Sequence, residues 1–214
     1  MRMGCALGAV VIATAACGSS TAAPTGSTAD AMTAASCGAH FARTLVANSR
    51  ARVFVQGGSV YGCALGHRRV YLLGRSALGV AAGQGRVGAV ALGGVDAGYS
   101  TTQMGVDTGS TEVVVRRLDD GRTLHTASAT TRSLGPESFQ TVDALVVKSD
   151  GAVAWIASGS SIIRHNNEVE VDRIDRRGET TLDRGSGIGA RSLRLRQSQL
   201  SWRHGNVTRS SRLL

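Results

Sequence analysis

Aromatic residues are scarce in this chain, lysine is nearly absent, and no amphipathic helical period separates its apolar runs. Two Trp, three Tyr and three Phe among 214 residues, beside 28 Gly, suit many turns between close-packed strands better than a large helical core. Lys148 is the sole lysine, so nearly all the positive charge behind the net +9 is arginine. In a protein also rich in Ala, Gly and Val, this reads first as the coding bias of a GC-rich bacterial genome, which limits what net charge says about partners. The lack of aromatic platforms also argues against single-stranded nucleic-acid binding, and no nucleic-acid partner is expected. Beyond the first residues, no apolar run is long enough to cross a bilayer as a helix.

Catalytic signatures are missing as well. There is no H-E-x-x-H and no G-x-S-x-G, and His40, His67, His125, His165 and His204 are scattered, so neither a metal nor a cofactor is expected. Asp107-Thr108-Gly109-Ser110 matches the aspartic-protease tetrapeptide, but those enzymes need two aspartates sharing a proton and no second copy occurs. Gly83-Gln84-Gly85-Arg86-Val87-Gly88 fits G-x-G-x-x-G, yet a strand-like run follows where a dinucleotide site needs a helix. Asp96, Asp143, Asp150, Asp172 and Asp175 are the carboxylates available for glycosidase chemistry, although aspartate in turns needs no catalytic explanation.

What is present starts with an export signal. Met1-Arg2-Met3 and the apolar run Ala6 to Ala16 form a signal peptide over residues 1–16. It ends at Thr14-Ala15-Ala16-Cys17, which resembles a bacterial lipobox and implies lipidation of Cys17, with a membrane anchored through that lipid as partner. Residues 17–35 are Ser, Thr, Ala and Gly, too polar to bury a core, and read as a flexible tether to a domain at 36–214. With Cys5 in the signal and Cys17 at the lipobox, Cys37 and Cys63 remain as a pair expected to be disulfide-bonded outside the cytoplasm.

Within the domain, short β-branched runs recur around polar glycine turns near residues 58, 94, 121, 151 and 178. Asp143 to Ala157 is the plainest hairpin, its two apolar strands joined by Ser149-Asp150-Gly151. A further reversal at Gln197-Ser198-Gln199 is expected near the end. The fold class is therefore all-β. Two units read as four strands each, one from Val87 to Leu124 and one from Val142 to Leu182. Hairpins in series, each too small to stand alone, bury their faces by stacking. The chain thus resembles bacterial secreted β-propeller-like proteins. That resemblance implies about four small blades, incompletely closed or with Thr44 to Asn48 completing the last one. A β-sandwich of the same hairpins is the alternative.

No acidic residue follows Asp183, whereas Arg191, Arg194, Arg196 and Arg203 do. Leu193 and Leu195 alternate with Arg194 and Arg196, so one strand face is apolar and the other presents a guanidinium row. Such a row either solvates an outer strand or binds an anionic envelope polymer. The reading is an exported non-catalytic binding or scaffold module at the cell surface, with an anionic envelope polymer or another exported protein as partner. An envelope polysaccharide hydrolase and a shortened propeller without independent activity are the rivals.

Overall fold

The computed structural model describes residues 37, 42–67, 69–76, 85–104, 109–130, 138–161 and 166–214. The signal peptide, Cys17 and nearly all of the tether region lie outside them, as do His40, His165, Asp107, Thr108 and Gly83. Every regular element among the described residues is a strand, and the fold is all-β. The first four are β1 (Arg43–Ala47), β2 (Ala51–Gln56), β3 (Ser59–Ala64) and β4 (Tyr71–Arg75). A second set follows as β5 (Arg86–Gly93), β6 (Asp96–Met104), β7 (Gly109–Arg117) and β8 (Thr123–Ser128). The third is β9 (Ser138–Val147), β10 (Val153–Ser161), β11 (Asn166–Asp175) and β12 (Gly178–Arg184). The chain ends with β13 (Arg194–Arg196), β14 (Gln199–His204) and β15 (Val207–Arg212).

Each set is an antiparallel meander in which sequence neighbours are spatial neighbours. The first two sets join into one eight-stranded sheet through a single parallel pair, Arg75 with Arg86, while the others form sheets of four and three strands. The expected units from Val87 and from Val142 coincide with the second and third sets. Their turns form where polar glycine positions allow positive φ. At Gly151 φ is +87° and a Cβ would lie 2.6 Å from Leu124 Cδ1, so both the reversal and the close approach require glycine.

Alternation along the strands lets the inner sets pack on both faces. Val53, Val60 and Leu73 of the first set meet Val87, Tyr99 and Val114 of the second. On the opposite face of the second set, Val113 and Val115 join Val142, Val153 and Trp155 of the third. Trp155 also donates from Nε1 to the Ala129 carbonyl at 2.8 Å. Ala154 and Ile156, pointing the other way from β10, meet Leu193, Leu200, Trp202 and Leu213. Burying Ile156, Leu200 and Leu213 contributes about 1.5–3 kcal/mol each. The four sets are thus linked in chain order by three cores, and the described strands close neither a ring nor a barrel.

One expectation needs correction. The strand at Thr44 to Asn48 does not complete the last unit, because β1 pairs antiparallel with β2, with Thr44 opposite Phe54 and Ala47 opposite Arg52. The Asn48 side chain explains this: its Oδ1 accepts the amides of Arg50 at 2.7 Å and Ala51 at 2.8 Å, fixing a tight local reversal. A short hairpin costs far less closure entropy than pairing with a strand some 150 residues away. The last unit accordingly has three strands, and its second hairpin, around Gly205, has no counterpart in the sequence reading. The expected Cys37–Cys63 disulfide is present, with both residues fully buried.

Candidate functional site

Besides its apolar core and the bonds that Lys148, Arg173 and Asp175 make to residues 212–214, the three-stranded terminal sheet is held to the third set by a buried carboxylate. Asp183 sits at the end of β12 and is 7% exposed. It accepts Trp202 Nε1 at 2.7 Å, Arg209 Nη1 at 2.7 Å and the Arg184 amide at 2.9 Å, and His204 Nδ1 lies 3.0 Å away. Burial alone would raise this carboxyl, but the donors from Trp202, His204 and Arg184 and the charge of Arg209 outweigh it and hold the group below the usual aspartate range. The connection from β12 is fastened to the sheet by backbone bonds from Gly189 to Arg203 and from Gly205 to Gly187. Ser192 Oγ adds a bond accepted from the Arg203 amide at 2.9 Å.

With the apolar side turned inward, alternation decides what faces out. Leu200 and Trp202 are buried, while Arg194, Arg196, Arg203 and Arg212 are all exposed. The register places Arg196 opposite Gln199 and Gln199 opposite Arg212, so these three form one row across the sheet. Arg194, Ser201 and Ser210 form the next row, and Arg203 with Thr208 a third. Adjacent strands lie about 4.8 Å apart, so the backbones of Arg194 and Arg196, of Arg196 and Arg212, and of Arg194 and Arg203 are spaced at roughly 10 Å or less. The flanking groups are hydroxyls and one amide, and the chain supplies no acid after Asp183. Among the described residues these four arginines make no ion pair, whereas Arg209 on the inward side is neutralised by Asp183.

Of the arginines singled out from sequence, Arg194, Arg196 and Arg203 share this face. Arg191 lies beside it in the connecting segment, where its carbonyl accepts Arg194 Nη1 at 2.9 Å and orients that side chain. Arg212 completes the face and was missed, since its placement depends on the Gly205 hairpin. The signal was there: Val207 to Arg212 alternates in phase with β14 once Gly205-Asn206 is taken as a turn.

The carboxylates raised as hydrolase candidates lie elsewhere and are mostly spent on structure. Asp96 is fully buried and paired with Arg117 at 2.9 Å. Asp150 bonds Lys148 at 2.8 Å, and Asp175 accepts the amides of Arg177 at 2.9 Å and Leu214 at 3.1 Å. Those last two acids border a cavity of about 500 Å³ at the turn end of the sheets, in which Lys148 pairs with Asp150. Asp172, on β11 beside Trp155, is fully buried and neither of its oxygens has a partner at hydrogen-bond geometry. Burial pushes its carboxyl up to about 7; the Thr181 hydroxyl and Arg184 pull it down, while Glu170 and Glu179 add to the rise. Glu170, two residues away on the same strand, is also fully buried and bonds Arg184 at 2.9 Å. No group of His, Cys, Asp and Glu suited to a metal occurs among the described residues. Gly109 and Ser110 of the protease-like tetrapeptide simply open β7, and Gly85 to Gly88 leads into and through β5.

The arginine face therefore gathers four exposed arginines, none of which makes an ion pair among the described residues. No family model matches the chain, and no curated protein or solved structure is significantly similar to it.

Proposed function

We propose that this protein is an exported, non-catalytic binding module that docks anionic polymers of the cell envelope onto the arginine face of its terminal sheet. The observation that carries the proposal is the convergence of Arg194, Arg196, Arg203 and Arg212 on one exposed face with no acid among them. Arginine suits the role because its planar, always-charged fork binds sulfate, phosphate and carboxylate groups bidentately. A solvated edge strand needs scattered charge, whereas a polymer needs charges of one sign at repeated spacing. In this reading residues 1–16 direct export, lipidated Cys17 anchors the chain, and residues 17–35 hold the domain away from the membrane. A buried disulfide belongs in an oxidising compartment and supports export. The three cores between successive meanders support an open, propeller-like array of four units. The full burial of Asp96 and Asp172 counts against a hydrolase role for those two candidates, since a substrate cannot reach them.

Binding to dextran sulfate and to poly-L-glutamate tests the proposal. At about 1 kcal/mol per arginine near an anionic surface, Arg→Gln at all four positions lowers affinity by roughly a hundredfold or more. Equal binding by the wild type and this variant, or no binding by the wild type, would overturn it.

A further inference from the structure

Far from the arginine face, two cavities flank the start of β9 and share Phe139 and Thr141. One, of about 250 Å³, lies between β9 and the strands β5 to β7; the other, of about 320 Å³, opens over β9 to β11. Phe139 is 37% exposed in a protein with few aromatics, and Met104 beside it is 53% exposed. Gly109 lies under both: a Cβ there would sit 3.0 Å from Met104 Sδ and 3.6 Å from the Phe139 ring. The pair thus forms a small apolar platform at the junction of the cavities.

The surroundings of this platform are hydroxyls and amides. Thr111 donates to the Gln140 carbonyl at 2.7 Å, so in its 2.9 Å contact with Thr102 the Thr102 hydroxyl is the donor and its lone pairs face the first cavity as acceptors. Ser100 Oγ accepts the Ala89 amide at 2.9 Å and keeps its own proton to donate. Ser158, Ser160 and Asn167 line the second cavity. Charge is balanced, with Arg86 in one cavity and Glu168 in the other.

We infer that this groove binds a neutral oligosaccharide. An aromatic face packs against the apolar C–H face of a pyranose, while the equatorial hydroxyls of the sugar alternate as donors and acceptors toward side chains of the same kind. The balanced charge excludes the polyanions assigned to the terminal sheet, so the two sites take different ligands and either stands without the other.

Affinity electrophoresis through gels containing laminarin, soluble starch, arabinogalactan or hydroxyethyl cellulose tests the inference on the purified full chain. At least one of these polysaccharides retards the wild type. Phe139→Ala weakens that retardation at least tenfold with an unchanged melting curve, Thr141→Val weakens it severalfold, and Phe139→Trp preserves it. The four-arginine Gln variant migrates with wild-type retardation, which separates this site from the cationic face. Absence of retardation across the panel, or equal retardation of wild type and Phe139→Ala, would overturn the inference.

Discussion

Arg52 and Arg203 both sit on the outermost face of a terminal sheet, yet the first is committed to the fold and the second is not. On the first set, Arg52 donates to the Cys37 carbonyl at 3.2 Å, the Ala42 carbonyl at 2.7 Å and Thr44 Oγ1 at 2.9 Å. It also lies 5.2 Å from the centroid of Phe54, whose ring stacks on Tyr61. The Cys37–Cys63 bond ties Cys37 to β3 there, and Phe54 is fully buried in the same cluster with Cys37, Ala42 and Cys63. At the far end Arg194 donates to the Arg191 and Leu193 carbonyls, whereas Arg196, Arg203 and Arg212 are exposed and make no side-chain hydrogen bond among the described residues. A compositional bias supplies arginine to both ends equally. Only the arrangement of carbonyls and acids around each one separates a structural arginine from one available to a ligand.

The largest loss is expected at Asp183, which together with the apolar core attaches the exposed end. Asp183→Leu removes the shared acceptor of Trp202, His204 and Arg209, and a buried donor set left without its acid costs about 3–5 kcal/mol. Denaturant unfolding reads this loss, and hydrogen exchange shows it concentrated in residues 194–212. At the covered end, replacing Cys37 and Cys63 together by Ser costs about 3 kcal/mol, from the loop entropy of 26 residues of separation. The same variant binds dextran sulfate as the wild type does, because the bond and the arginine face lie on different sheets.

A pH-dependent effect distinguishes interior from surface charge. Asp172 has a folded-state value of about 7, above its unfolded value near 4, so the folded chain holds this proton more tightly. Stability therefore falls as pH rises from about 4 to about 7, by on the order of 1 kcal/mol per pH unit, and then levels. Asp183 acts with the opposite sign, since its depressed value makes stability fall as acid protonates it. Melting curves across pH 4 to 8 for the wild type and Asp172→Asn separate the two: the variant loses the decline toward neutrality and keeps the acid-side one.

Much of this architecture was legible before any coordinates. Glycine turns with polar neighbours, spaced between β-branched runs, located most hairpins because positive φ and alternation are local properties. The partner of β1 was not legible, since the reversal rests on one Asn48 side chain in a run that reads equally as strand or turn. Arg194 and Arg196 followed from alternation with Leu193 and Leu195, and Arg203 from the acid-free run after Asp183. Arg212 did not, because its phase depends on a hairpin signalled only by Gly205-Asn206. The Asp183 cluster gave no periodic trace, as its side-chain partners lie 19 to 26 residues away. The Phe139 platform is likewise assembled from strands of two different sets.

The account stands most directly on how binding to dextran sulfate depends on salt. Four arginines that each displace a counterion give a plot of log affinity against log salt with a slope of about −3, at roughly 0.7–0.9 per neutralised charge. The four-position Gln variant, with stability within about 0.5 kcal/mol of the wild type, flattens that slope toward zero. A steep slope that survives the substitutions would place the binding charge elsewhere and contradict the assignment of this face.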